Sequence, residues 1–365
     1  MNIFQEEAVK ARFSLSLHAL RGIASVIVLC GHVMQRSAMT MGGLPGGHGI
    51  SGIPFNGNAS VIFFFVLSGL VLGMSLAKEE LTVMNYSIYA IRRAFRIIPL
   101  FAVTMIIGML YIAFIDPSMP IKFVPDGLTG YSVPNPPTWS IYVELVVSAF
   151  LPFMVLAGRN RRLAILVGAG FLILGSFHIG QHSHLNLFMI DFFLGVTVLW
   201  WGRAFTQWIS CFSHRIFWSL VAVLFGIFYL LGVTVYDSNY IVFNFMETFS
   251  ITPLIAIVFF CPQRFKYLER RELQFLGTIS YSLYLIHFSL VALCYNLLII
   301  LFPAASYYPI ITTAIMLIGL PSMCIAIAAL SYRYIEKPGI AWGEKMIAVT
   351  RHALHQDIEP THLID

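Results

Sequence analysis

The stretch Leu17–Gln35, LHALRGIASVIVLCGHVMQ, is apolar enough to span a membrane, yet it carries Arg21 and His32. They lie eleven residues apart, so a helix places them on one face, roughly 16 Å apart along its axis. An arginine inside an apolar span is costly and usually functional. Near a helix N-terminus, where the macrodipole repels a cation, it needs compensation, and a polyanionic ligand would supply it. The imidazole is a candidate general base. The alternative is a snorkelling arginine and a buried, hydrogen-bonded histidine.

A second basic group stands in YAIRRAFRIIPL: Arg92, Arg93 and Arg96. Arg93 and Arg96 share a helix face, and guanidinium forks suit phosphate oxygens and pyrophosphate. The alternative is a cytoplasmic cluster that binds lipid headgroups. Further polar residues interrupt apolar runs: Ser68 in FFFVLSG, Glu144 in TWSIYVE, Asp191, Glu247, and the set Ser280, Tyr281, Tyr284 and His287 in LGTISYSLYLIHF. Glu336, in SYRYIEKP, is placed to answer the arginines. The structural alternative for Ser68 is close helix packing at Ser68-Gly69, and for Asp191, Glu247 and the set Ser280 to His287 it is a hydrogen bond that satisfies a neighbouring helix.

The elements that must position these groups follow from composition. Of 365 residues, 58% are hydrophobic and 11% charged, a balance that excludes soluble domains and indicates an all-α, polytopic membrane bundle. Apolar runs fall at about 15–37, 58–77, 97–115, 139–157, 162–178, 186–202, 216–235, 241–260, 275–300 and 309–332, which predicts about ten transmembrane helices. Nearly all lysines and arginines flank these runs on the side of the termini; the opposite loops hold only Arg36 and Lys122. Both termini are therefore expected in the cytoplasm. The formal charge of +5 is a property of those loops and not a nucleic-acid signal.

Residues 1–338 read as one transmembrane domain and 339–365 as a cytoplasmic tail, partly amphipathic or disordered. The outer loops near 38–57, which holds His48, and 116–138 are long enough to be lids or acceptor surfaces. The five cysteines form no CxxC pair or disulfide framework, and no zinc spacing, P-loop or dinucleotide fingerprint occurs; no metal is expected.

With this topology Arg21 falls in the inner half of the membrane and His32 in the outer half. Glu144 falls at a depth similar to His32, so the two are expected to pair, orienting the ring and raising its basicity. Asp191 and Glu247 reach the same level, which suggests a polar cavity opening outward. The residues thus describe an inner anion site and an outer base, an arrangement suited to moving a group from a cytosolic phosphate-bearing donor to an external acceptor. A proton-coupled secondary transporter would use the same intramembrane His, Glu and Asp groups, although no paired broken helices or repeated halves are visible. A non-catalytic scaffold is the third possibility.

The motifs Arg21-x10-His32, FFFVLSG, RRAFRIIP, TWSIYVE, GTISYSLYLIH and YRYIEKP, in this order, resemble the acyltransferase-3 superfamily of integral membrane acyltransferases that modify bacterial surface glycans. The resemblance implies an O-acyltransferase in the bacterial inner membrane, with acetyl-CoA or another acyl-CoA as donor and a glycan or lipid-linked saccharide as acceptor. It implies His32 as the catalytic histidine and Arg21, Arg93 and Arg96, with Arg92, as donor-binding residues. Glu144 would orient His32; Ser68 and Tyr284 are candidate oxyanion donors; a transient acyl-histidine is the variant of the direct mechanism. Two departures stand out. Many relatives have an aromatic pair after Glu144, where this chain reads Leu-Val-Val-Ser, and some carry a soluble esterase-like domain, without which this chain is expected to act.

Overall fold

A computed structural model describes residues 3–41, 55–78, 80, 82–114, 135–177, 184–234 and 240–356. They form α1 (Ile3–Met41), α2 (Gly57–Ala77), α3 (Val83–Phe114), α4 (Thr138–Arg159), α5 (Arg161–Ser176), α6 (His184–Ser210), α7 (His214–Thr234), α8 (Tyr240–Phe260), α9 (Arg271–Leu301), α10 (Pro309–Ser331) and α11 (Lys337–Gln356). No strand occurs among the described residues. The reason is the solvent: in hydrocarbon every backbone N–H and C=O must be satisfied within its own segment, and the helix does this.

The ten predicted spans correspond to α1–α10. Eight helical segments are long and apolar enough to cross a membrane. The two short elements are α5, with 16 residues, and α7, whose apolar part is His214–Leu230. The protein is a multi-pass, all-α membrane bundle. His48, Lys122 and most of the two long outer loops lie outside the described residues.

Two apolar cores share α1. The larger draws on α1, α2, α4, α6 and α8; the smaller is built by Leu29 and Val33 of α1 with Ile279, Leu283, Val291 and Tyr295 of α9 and Leu320, Cys324 and Ala328 of α10. Without a hydrophobic drive between helices in lipid, close approach depends on small residues. A Cβ at Gly22 would stand 2.5 Å from the Gly277 nitrogen, and one at Gly277 would strike the His18 carbonyl. The backbones of α1 and α9 therefore touch. Gly69 and Gly195 do the same for α2 and α6, against the carbonyls of Phe192 and Val66.

α3 is bound differently. Its outer half is largely uncovered, with Ile106, Leu110 and Phe114 exposed. It stands off α4 by the length of its polar side chains: Tyr86 and Tyr89 donate to the carbonyls of Ala149 and Ser148, at 3.3 and 3.2 Å. The space left between α2, α3 and α4 becomes the cavity described below.

Residues 337–356 are helical. A π-helical turn, Tyr332–Glu336, joins α10 to α11, which lies along the N-terminal half of α3. Arg92 Nε donates to Glu344 Oε1 at 2.9 Å. Pro99 deprives the Phe95 carbonyl of its helical donor, and Gly339 comes so close there that a Cβ would lie 2.9 Å from that oxygen.

Candidate active site

A cavity of about 310 Å³ opens between α1, α2, α3, α4 and α9. Its lining holds Arg21, Arg92, Arg93 and Arg96 against a single carboxylate, Glu144. The arginines mark the end that the positive-inside pattern assigns to the cytoplasm. Phe64, Ser140 and Tyr284 line it with them, and Tyr284 stands farthest along α9 towards the outer side.

Four arginines meet here because three helices converge. Arg92, Arg93 and Arg96 come from one stretch of α3, and Arg21 from α1, which α9 holds beside α3. Their states differ. Arg92 is turned to Glu344 on α11. Arg93 is held: Nη2 donates to Glu144 Oε1 at 2.7 Å, and Nε donates to Ser148 Oγ at 2.8 Å. Arg21 and Arg96 have no ion-pair partner among the described residues. They are the cations an anionic ligand would meet first.

Glu144 does not pair with His32, contrary to the sequence expectation. Its Oε1 accepts from Arg93 and, at 3.1 Å, from Ser68 Oγ. The two residues share neither a side nor a depth: α4 presents Glu144 to α2 and α3, whereas α1 presents His32 to α9, and Ser140, one turn outward of Glu144, only reaches Tyr284, itself one turn short of His287. Ser68 is accordingly engaged with Glu144, and as placed it is not a free oxyanion donor. Tyr284 is also engaged: its hydroxyl donates to the Pro137 carbonyl at 3.2 Å and lies 2.7 Å from Ser140 Oγ.

His32 meets His287 instead. His287 Nε2 is 3.1 Å from His32 Nδ1, and the ring centroids are 5.0 Å apart. Neither ring belongs to the cavity lining. Tyr284 stands between, one helical turn before His287, with a ring centroid 5.8 Å from it. The cavity therefore ends within one residue layer of the histidine pair.

Asp191 and Glu247 do not line this cavity either. Both are fully buried. Thr248 Oγ1 donates to Asp191 Oδ1 at 2.7 Å, and Asn58 Nδ2 donates to Glu247 Oε2 at 2.7 Å, with Asn56 Nδ2 at 3.5 Å from its Oε1. They form a separate polar cluster among α2, α6 and α8, because Asn56 and Asn58 at the start of α2 cap it. Glu336 is buried too, accepting from Ser282 Oγ at 2.7 Å, in the field of Arg96 and Arg21 without contacting either.

Sequence reasoning passed over Ser148, Tyr89 and Ser140. Ser148 follows Glu144 by four residues, the spacing that places two side chains on one helix face; that signal could have shown one arginine bridging both. It also gives a purpose to the run Leu-Val-Val-Ser after Glu144: its serine takes the Arg93 Nε.

Compared with known families, residues 14–331 match the profile described as an Acyltransferase domain, that of the acyltransferase-3 family. No curated protein and no solved structure shows significant similarity.

Proposed function

The chain belongs to the acyltransferase-3 family, and on that premise we propose that this membrane acyltransferase moves an acetyl group from cytosolic acetyl-CoA to a hydroxyl of a surface or exported polysaccharide. One observation carries the reading: a cavity with two unanswered arginines, Arg21 and Arg96, whose far end stops at Tyr284, next to the His32–His287 pair.

The donor's phosphates lie against Arg21 and Arg96, with Arg92 and Arg93 adding positive field. The pantetheine arm extends along the cavity past Ser68 towards Tyr284. His32 takes the proton from the acceptor hydroxyl as its oxygen attacks the thioester carbonyl, and the sulfur leaves as the CoA thiolate. Such general-base assistance typically contributes about 10²–10⁴-fold. Glu144 acts at one remove, by holding Arg93 and Ser68 in the cavity wall. The acceptor, a glycan or lipid-linked saccharide, approaches from the outer side, in a bacterial inner membrane.

A proton-coupled transporter would need Asp191 and Glu247 on an open path, and both are closed in by Asn56, Asn58 and Thr248. The test is acetyl release from labelled acetyl-CoA by purified protein in lipid, wild type beside His32→Ala, with acetyl-CoA binding measured in both. The expected result is binding in both and turnover in the wild type alone. If neither binds nor consumes acetyl-CoA, the donor assignment fails.

A further inference from the structure

Two carbonyl oxygens decide the protonation of the histidine pair. His287 Nδ1 lies 3.1 Å from the Leu283 carbonyl. A carbonyl only accepts, so this nitrogen carries the hydrogen, and in a neutral imidazole the other nitrogen, Nε2, is then a bare acceptor. His32 Nδ1 lies 3.0 Å from the Val28 carbonyl and 3.1 Å from that bare His287 Nε2. Only a hydrogen on His32 Nδ1 satisfies both neighbours. A doubly protonated His287 would reverse the second bond, but His287 is fully buried and has no carboxylate partner among the described residues, which leaves such a charge uncompensated.

We propose that His287 is a positioning residue for His32: together with the Val28 carbonyl it holds His32 in the Nδ1–H tautomer and leaves Nε2 as the basic nitrogen. The consequence for catalysis rests on the reading of His32 as general base; the tautomer itself does not. When Nε2 takes the hydroxyl proton, the Nδ1–H becomes a charge-assisted donor, and His287 Nε2 is its acceptor across the helix interface. In a Ser-His-Asp triad a carboxylate does the corresponding work. Here a neutral ring does it, itself anchored by the Leu283 carbonyl. Phe288 closes another side of the His32 ring edge-on, at 5.3 Å between centroids.

The fold builds this pair deliberately into α1 and α9. The helices run in parallel, and their backbones touch at Gly22 and Gly277. Each histidine stands the same ten residues beyond its glycine, so both are carried about 15 Å along the membrane to the same level.

The experiment compares His287→Gln, His287→Asn and His287→Leu with the wild-type protein in lipid. A glutamine places its Oε1 near the position of the imidazole Nε2 and can accept from His32; asparagine is too short, and leucine cannot accept. The Val28 carbonyl survives in all three, so the loss is smaller than that of the base itself. The expected kcat is about 10–100-fold down in the Asn and Leu variants and within about fivefold of wild type in Gln, with acetyl-CoA Kd unchanged because His287 does not line the cavity. Equal loss of activity and Tm in all three variants would mean packing alone and overturn the proposal.

A second readout needs no turnover. In ¹⁵N-histidine-labelled protein, with His32 identified by its disappearance in His32→Gln, the expected signals are a protonated Nδ1 and a bare Nε2. A protonated Nε2 with a bare Nδ1 overturns the proposal. If the wild type transfers no acetyl group, the functional reading falls while the nitrogen shifts still decide the pair.

Discussion

Two groups of charges lie inside this bundle, and they are built on opposite principles. The cavity between α1, α2, α3, α4 and α9 is lined by four arginines and one glutamate. The cluster among α2, α6 and α8 holds two buried carboxylates, Asp191 and Glu247, and no arginine or lysine bonds to either among the described residues. In the cavity, positive charge exceeds what the protein supplies to answer it, and there is room for a ligand. In the cluster, amides and a hydroxyl close around the carboxylates. One oxygen, Asp191 Oδ2, and both polar atoms of the Asn244 side chain lack a partner there, but neither carboxylate lines the cavity that holds the arginines. An ionisable residue in a membrane span is a functional candidate by default. What separates these two groups is the sum of charge over each and access to it, not the presence of charge.

The comparison can be broken, and the largest effect is expected at the unanswered cations. Replacing both Arg21 and Arg96 by alanine should raise the acetyl-CoA Kd by about 10²–10⁴-fold, since each hydrogen bond to a charged group contributes roughly 1.5–3 kcal/mol. Calorimetry in lipid nanodiscs reads this directly; an unchanged Kd would mean that the cavity cations serve something other than donor phosphates.

Next comes Glu144→Gln, which leaves Arg93 buried without its counter-ion. Breaking such a pair costs about 3 kcal/mol, visible as a lower Tm. Adding Arg93→Met should recover most of that Tm. If the single variant instead keeps its Tm while kcat collapses, Glu144 acts on the chemistry and not through Arg93.

Gly277→Ala adds only one methyl group but places it against the His18 carbonyl. It should separate α1 from α9 and loosen the histidine pair. The expected loss is about tenfold in kcat, below the order of 10²-fold that a full 1 Å misplacement of reacting groups costs, with acetyl-CoA binding retained. Full activity would show that the close backbone contact is not what sets the pair.

The smallest effect belongs to the closed cluster. Asp191→Asn preserves an oxygen for Thr248 and removes a buried carboxylate, so turnover should stay within about threefold of wild type, because the Thr248 hydroxyl keeps its acceptor and Asp191 does not line the cavity. A larger loss in a turnover assay would place the cluster on the reaction path and undo the contrast.

Much of the fold was legible before any coordinates. Ten apolar runs became α1–α10, and the composition of α9 marked Tyr284 and His287 as unusual. The tail from Gly339 was read as partly amphipathic or disordered, and its described residues, as far as Gln356, belong to α11, seated on α3. What could not be read was adjacency. Glu144 and His32 were matched by a depth counted from the helix ends, but the stagger between helices puts Glu144 inward of His32, beside Arg93, and on another side of the bundle. His32 turns to α9 because Gly22 and Gly277 let those two backbones meet. Nothing local to Leu17–Gln35 names α9 as that neighbour, although the equal distance from each glycine to its histidine was present in the chain. Likewise Asp191 and Glu247 were grouped with the catalytic candidates because depth cannot distinguish an open cavity from a cluster capped by Asn56 and Asn58.

The sequence by itself determined the membrane bundle and the placement of guanidinium groups at one end of it and imidazoles towards the other. These follow from hydrocarbon's intolerance of unsatisfied backbone, from the bias of lysine and arginine between loops, and from helical periodicity, all of which act along the chain. Only the tertiary structure decided which charges answer each other. Pairing is a property of distances between helices, and those are set where small residues allow close packing and where long side chains, such as Tyr86, Tyr89 and Arg93, hold α3 away from α4 and leave the space that a donor can enter.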